Sequence, residues 1–217
     1  MRKIWPGLLL NLAAAVFGFA VWSRLPARVA SHWDMNGNVN GTMPRTMFVL
    51  FVPLLALVVA VVMVWAPRLD PKRANFPLHS GAYWIVVNAI LALQAIIQIF
   101  ALGHGLGWKI PIDQVVGVGV ALLFVVLGNV LTRVRPNWIF GVRTPWTLSS
   151  DLSWRETHRL AGYGFVLDGI AVLLTAFVYP HALFHVLLGG MLVVALVSIV
   201  WSYLAWKRDP NAQGRSV

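Results

Sequence analysis

The chain contains no cysteine and few acidic residues, and both shortages limit what it can be. Without cysteine it can form neither a disulfide framework nor a thiolate metal site, and it has no cysteine nucleophile. Asp and Glu number 7 against 17 Lys and Arg, and charged residues make up only 11% of a chain that is 59% hydrophobic. This composition excludes an ordinary soluble domain and is typical of a protein embedded in a membrane.

The apolar residues are gathered in 6 blocks, each close to the ~20 residues that carry a helix across a bilayer. Helices are the expected form, because lipid offers no partner to a free backbone N–H or C=O. The sequence therefore predicts an all-α, polytopic integral membrane protein with six transmembrane helices. The blocks cover residues 4–22, 46–66, 83–102, 114–131, 160–179 and 183–206.

Lys and Arg are unequally divided between the polar segments that separate these blocks. If the N-terminus is cytoplasmic, the inner segments carry 13 of them and the outer segments carry 4. Because cytoplasmic loops are enriched in Lys and Arg, we expect both termini to be cytoplasmic. The basic residues are dispersed over several loops, so we expect membrane lipids as their partners and no direct binding of nucleic acid.

The first outer loop, residues 23–45, carries the turn dipeptides Asn36-Gly37 and Asn40-Gly41. Both residue types tolerate positive φ, so we expect a short hairpin or compact turn on the outer surface. The loop is the first surface that a secreted molecule would meet. Its candidate ligand-binding residues are His32, Trp33, Asp34 and Asn36.

The same loop contains an Asp-x-Asn-x-Asn spacing that imitates a calcium-binding loop. Val39 stands where such a loop needs glycine, and no Glu follows at the twelfth position. We therefore expect a ligand-facing turn and no metal site.

The polar segment 133–159 is far longer than a connection between neighbouring helices needs to be. It holds 5 of the 17 Lys and Arg residues, together with Trp, Pro and hydroxyl residues. Ser153 and Glu156 form a capping-box pattern, which predicts that the fifth helix begins near Trp154. Its first turns are expected along the cytoplasmic interface. We expect this segment to carry specific recognition.

One carboxylate, Asp168, lies well inside the fifth apolar block. A charge at that depth costs roughly 2.5–3.5 kcal/mol, so we expect Asp168 to face the bundle interior and to have a polar partner. Two interpretations stay open, a structural contact between helices and a proton or substrate relay. The candidate partners in other blocks are Asn11, Asn88, Gln94, Gln98 and Asn129.

Asp168 shares its helix face with small residues at spacings of three, four and seven. Such a face is typical of close helix packing, either within one chain or in a homo-oligomer. The chain has no His-Glu-x-x-His and no Gly-x-Ser-x-Gly motif, so we expect no enzyme and no cofactor.

Several short motifs in and beside segment 133–159 form a set. They are Gly128-Asn129, Arg135-Pro136-Asn137, the run GVRTPWT at 141–147, Trp154 and Thr157-His158-Arg159. Together they resemble the SdpI family, bacterial immunity membrane proteins named for resistance to a secreted sporulation-delay toxin. The outer loop, with Leu25-Pro26, His32-Trp33 and Asn36-Gly37, is similar to a membrane domain of unknown function, the DUF1648 type.

The resemblance implies a multi-pass protein of the bacterial cytoplasmic (inner) membrane that confers resistance to a secreted peptide toxin. It also implies signalling, in which a cytoplasmic transcriptional repressor is held at the membrane. We expect an N-terminal two-helix unit at 1–66 with the structured loop 23–45, and a four-helix unit at 67–217 with the cytoplasmic loop 133–159. The candidate ligand- or partner-binding residues of that loop are Asn137, Arg143, Thr144, Trp146, Trp154 and His158.

Two other functions remain open on the residues alone. A small solute or proton-linked permease would use intramembrane polar residues, of which Asn88, Asn129 and Asp168 are the candidates. A membrane enzyme acting on a lipid-linked substrate would use Arg143 and His158 at the cytoplasmic interface.

Overall fold

The structure is a computed structural model that describes residues 3–213. Five of its helices are long and apolar enough to cross a membrane, and the first helix is a shorter apolar one of 16 residues. The predicted all-α, polytopic fold is confirmed. The elements are α1 (Trp5–Ala20), β1 (Arg28–Trp33), β2 (Val39–Pro44), α2 (Arg45–Leu69), α3 (Phe76–Gly105), α4 (Ile112–Leu131), α5 (Pro145–Ser149), α6 (Asp151–Val178), α7 (Leu183–Lys207) and α8 (Pro210–Gln213).

Two helices begin well before the apolar blocks from which they were predicted. α3 has 30 residues and begins seven residues before its block, while α6 has 28 residues and begins nine before its block. At 1.5 Å per residue α3 is about 45 Å long, against a hydrocarbon core of ~30 Å. The N-terminal turns of both helices therefore extend beyond the membrane, where segment 133–159 is built on them.

The hairpin and segment 133–159 lie at opposite ends of the bundle. The hairpin packs where α1 and α3 end and α2 begins, against Val21, Val49 and Leu102. Segment 133–159 lies where α2, α4 and α7 end and α3 and α6 begin. Arg2 and Arg215, which contribute to the charge bias, lie outside the described residues.

α4 and α6 are held together by glycines that allow their backbones to touch. A Cβ on Gly128 would lie 2.4 Å from the carbonyl oxygen of Gly162, and one on Gly169 would lie 2.7 Å from that of Ala121. The two pairs are seven residues apart on both helices, so they repeat along one seam. The other face of α6 packs on α7, where Gly164 faces Val194. The predicted use of small residues for packing is confirmed within the chain.

The start of α6 differs from the prediction. The helix begins at Asp151, and its N-cap is Ser150, whose hydroxyl accepts from the backbone N–H of Ser153 at 3.0 Å. Ser153 is thus the third residue of the helix, and its own hydroxyl donates to the carbonyl of Ser202 at 2.7 Å. The predicted Ser153–Glu156 capping box is wrong, because an equally good capping residue stands three positions earlier.

Candidate functional site

The hairpin forms as predicted, with β1 and β2 antiparallel and its register shifted around His32. Its turn is organised by Asp34, whose Oδ1 accepts from the backbone N–H groups of Asn36 and Asn38, both at 2.9 Å. The Asn38 side chain also donates to Oδ2 at 3.0 Å, and this side-chain bond is the main reason that the pKa of Asp34 lies below its usual value. Gly37 has φ +78°, which supplies the turn, whereas the second dipeptide, Asn40-Gly41, lies in β2.

One side of the hairpin is seated on the bundle and the other is free. Val29 is fully buried, and the Trp33 ring meets His104 of α3 edge-on, with the ring centroids 5.8 Å apart. His32 and Asn36 are exposed, and His32 Nδ1 is bonded to the Asn40 side chain. Met35 at the tip is 55% exposed; sequence analysis did not single it out. The four predicted residues thus share one hairpin, with Trp33 as its anchor.

Segment 133–159, called the central module below, is ordered by buried side chains. Asn137 is 2% exposed, and its amide makes four hydrogen bonds within the turn that it begins. Its Nδ2 donates to the carbonyls of Arg135 (2.8 Å) and Phe140 (3.0 Å), and its Oδ1 accepts from the N–H groups of Ile139 (2.8 Å) and Phe140 (2.7 Å). This predicted contact residue is fully engaged by its own loop.

Gly141, Trp154 and His158 form the centre of the module. His158 Nδ1–H donates to the Trp154 carbonyl at 2.8 Å, and Nε2 accepts from the backbone N–H of Val142 at 3.1 Å. A neutral imidazole is required, because a protonated ring would present a second donor to that N–H. Gly141 has φ +113°, and a Cβ there would lie 2.2 Å from His158 Nε2. Trp154 stacks on the imidazole with the ring centroids 4.0 Å apart, and both rings are buried inside the module.

The run Thr144-Pro145-Trp146-Thr147 encodes the short helix α5. Thr144 is its N-cap and forms a capping box with Thr147: the Thr144 hydroxyl accepts from the Thr147 N–H at 3.1 Å, and the Thr147 hydroxyl accepts from the Thr144 N–H at 2.9 Å. Pro145 fills the first helical position, where no N–H is needed. The Thr144 hydroxyl also bonds to that of Ser202 on α7 at 3.0 Å. The motif is therefore a fold determinant that ties the module to α7.

Two Asp-Pro pairs clamp the module from outside, and neither was predicted. Asp70 accepts from the N–H of Lys72 at 2.7 Å and, with its other oxygen, from that of Trp138 at 3.0 Å. Asp209 accepts from the N–H of Asn211 at 3.0 Å and from the Ser150 hydroxyl at 2.5 Å. The Ser150 bond is the main cause that lowers the pKa of Asp209. The only sequence signal is that each aspartate precedes proline, which favours turns.

Arg143 and Trp146 are the predicted central residues that reach the surface. Arg143 is exposed, and its guanidinium donates to the Trp138 carbonyl. Trp146 is half-buried and meets Tyr203 of α7 edge-on at 5.3 Å. Trp138, beside Arg143, is 49% exposed. These side chains give this part of the module a basic and aromatic surface.

The intramembrane polar residues do not come together. Asn88 joins α3 to α1 by accepting from the Gly7 N–H at 2.8 Å, and Asn129 donates to the Val125 carbonyl of its own helix at 2.8 Å. Asp168 is 6% exposed and lies against Gly190 of α7. No residue in 3–213 hydrogen-bonds its Oδ2, so the expected amide partner is not there.

Comparison with known proteins finds two family matches and a similar immunity protein. Residues 133–202 match the SdpI/YfhL protein family, and residues 9–57 match a domain of unknown function, DUF1648. The resemblance to the SdpI family is confirmed. The immunity protein SdpI of Bacillus subtilis (strain 168) is 24% identical over 211 residues, which cover 96% of this chain and 98% of that protein. No solved structure matches significantly.

The SdpI/YfhL match begins at the first residue of the central module and ends on α7 at Ser202, to which Thr144 and Ser153 are bonded. The DUF1648 match contains α1, the hairpin and the first part of α2. The five long apolar helices and the similarity to SdpI support a multi-pass protein of the bacterial cell membrane.

Proposed function

We propose that this chain is a membrane immunity protein that protects its cell from a secreted peptide toxin. The observation that carries the proposal is the similarity to the Bacillus subtilis immunity protein over nearly the full length of both chains. In this proposal the free face of the hairpin, with His32 and Met35, meets the toxin. The patch around Arg143 and Trp146 on the other side is where a cytoplasmic repressor would be held.

The geometry supports a link between the two ends. α3 is one uninterrupted helix, whose outer end contacts the hairpin through His104 and Trp33. At its inner end, Asn75 donates from its side chain to the Pro136 carbonyl of the module at 2.9 Å. A toxin that shifts the hairpin would therefore act on the module through a rigid element.

Complementation of a toxin-sensitive cell tests this function. A Bacillus subtilis strain lacking its own SdpI would express nothing, the wild-type chain, His32→Ala or Arg143→Ala at matched membrane levels, and would be exposed to purified sporulation-delay toxin. We expect survival with the wild type, loss of survival with His32→Ala, and survival with Arg143→Ala if the module serves signalling only. Failure of the wild-type chain at verified expression, both here and against a toxic peptide encoded beside its own gene, would contradict immunity.

The two other candidate functions find less support. The polar lining that a permease needs is not assembled, because Asn88 is used between α1 and α3, and Gln98 donates to the Val49 carbonyl of α2 at 3.2 Å. Both ring nitrogens of His158 are occupied by backbone groups, so the proposed catalytic histidine has no free nitrogen. If the wild-type protein moved protons or a solute across a proteoliposome membrane and Asp168→Asn abolished that flux, the permease function would be supported again.

A further inference from the structure

A basic cleft lies between the central module and the end of α4. It has a volume of about 540 Å³, with Arg133, Arg135 and Arg155 at its rim and the buried rings Trp154 and His158 in its wall. The one ion pair among residues 3–213 joins Arg159 to Glu156, so none of the three arginines has a carboxylate within bonding distance. A single carboxylate, Asp151, also lines the cleft, which leaves an excess of positive charge.

The cleft continues into a groove of about 450 Å³ between α4 and α6, and Thr132 lines both. The floor of the groove is the close contact of Gly128 with Gly162, and the Val166 side chain packs beside it. Tyr163 and Leu167 form its wall and are 64% and 67% exposed. This largely apolar groove therefore runs from the module along α4 and α6 toward the middle of the membrane.

Asn129 is a polar residue that the helix packing does not explain. It lines the groove and is exposed, although its helix is one of the spans. Its Nδ2 is bonded to the Val125 carbonyl, while its Oδ1 has no partner in residues 3–213. An amide on a lipid-facing surface is costly unless it meets a polar group. Asn129 lies two residues, or about 3 Å along the helix, before the end of α4 at Leu131, and Arg133 follows that end.

We propose that the cleft and the groove together bind one anionic phospholipid. Its phosphate lies between Arg133 and Arg155, its glycerol esters lie at the level of Asn129, and one acyl chain follows the groove past Tyr163 and Leu167. Arginine suits the phosphate, because its planar guanidinium offers paired donors. The order of basic rim, amide and apolar groove matches the order of phosphate, glycerol and chain in a phospholipid. The lipid would seal the seam between α4 and α6 beneath the module.

Native mass spectrometry of the purified full-length protein tests this site. The protein would be titrated with dioleoyl phosphatidylglycerol, with phosphatidylcholine of the same chains, and with glycerol phosphate, which has the anion without the chains. We expect one phosphatidylglycerol to be retained in preference to phosphatidylcholine. Removing two of the three rim charges in Arg133→Gln/Arg155→Gln should weaken retention on the order of tenfold, and Asn129→Leu should weaken it less.

Arg73→Gln is the matched control, because Arg73 is exposed on the same side of the bundle but lines neither the cleft nor the groove. It should leave retention unchanged. Equal losses in Arg73→Gln and in the double variant would overturn the proposal, since surface charge alone would then explain binding. Glycerol phosphate binding as tightly as the lipid would also overturn it. Asn129→Leu removes no charge and no buried contact, so it keeps the test decisive if the double variant folds poorly.

Discussion

The outer hairpin and the central module carry similar polar residues but use them in different ways. In the hairpin, Asp34 bonds only to residues up to four positions away, and it does so near the surface. In the module, Thr144 and Ser150 bond to residues 58 and 59 positions away, and both are buried. The hairpin therefore folds as a local turn with a free face, whereas the module exists only when α2, α4, α6 and α7 are in place.

This difference assigns different roles to residues that look alike in the sequence. A buried polar group that is fully bonded stabilises one arrangement and is costly to disturb. An exposed one can exchange its partners at little cost. We therefore expect substitutions in the module to act on stability and substitutions in the hairpin to act on recognition.

The largest effect is expected for Gly141→Ala. The new side chain would have to adopt φ +113° and would meet His158 Nε2 at 2.2 Å, which together cost on the order of 3 kcal/mol. Thermal unfolding in detergent should show a large fall in Tm, with early proteolysis inside 133–159. Gly81→Ala is the control, because a Cβ at Gly81 has nothing within 4 Å and the position is helical. Similar Tm values for the two variants would contradict the claim that the module depends on close packing at Gly141.

His158→Phe should have the next largest effect. Phenylalanine can keep the stack on Trp154, but it leaves the partly buried N–H of Val142 without its acceptor, at a cost of about 1–3 kcal/mol. The exposed His185→Phe is the control and should unfold like the wild type. A wild-type Tm in His158→Phe together with loss of protection in the complementation assay would instead indicate that His158 binds a ligand.

Asp209→Asn should change how stability depends on pH. The hydrogen bond from Ser150 lowers the pKa of Asp209 in the folded protein, so the ionised group stabilises the fold above the ordinary carboxyl pKa of about 3.9. This contribution is lost as the pH falls through the lower folded value. The wild-type Tm should therefore fall more steeply below roughly pH 4 than that of the variant. Parallel curves would show that the clamp does not depend on the charge.

Asp34→Ala should have the smallest effect on stability. It removes the bonds that shape the exposed turn but leaves the seat of the hairpin, with Val29 and Trp33, intact. We expect an unchanged Tm in detergent and reduced protection in the complementation assay. A Tm as low as that of Gly141→Ala would show that the two regions are not distinct.

The sequence was sufficient to predict the structural features that depend on local residue patterns. Block length indicated the long helices, and the Asn36-Gly37 dipeptide indicated the hairpin turn. It was not sufficient to predict the hydrogen-bond partners of polar residues. Periodicity shows which face of a helix a residue lies on, but it does not show which other element packs against that face. Asn88 and Asn129 look equivalent in sequence, yet one joins two helices and the other lies on a groove.

The burial of Trp154 could not be predicted from the sequence for a related reason. Aromatic and basic residues at the start of a helix are typical of contact with headgroups, but the same residue types also form a buried core when other segments cover them. Trp154 is covered by the turn at Val134, whose carbonyl accepts from its Nε1 at 2.8 Å. That contact depends on the tertiary fold, so no local pattern around Trp154 predicts it.

Hydrogen–deuterium exchange of the protein in nanodiscs, with and without the purified toxin against which it protects, tests the central claim most directly. We expect added protection in residues 28–44, with the centre of the module around Gly141 and His158 slow to exchange in both states. Protection confined to the central module, or to the membrane helices with the hairpin unchanged, would contradict the assignment of toxin recognition to the hairpin.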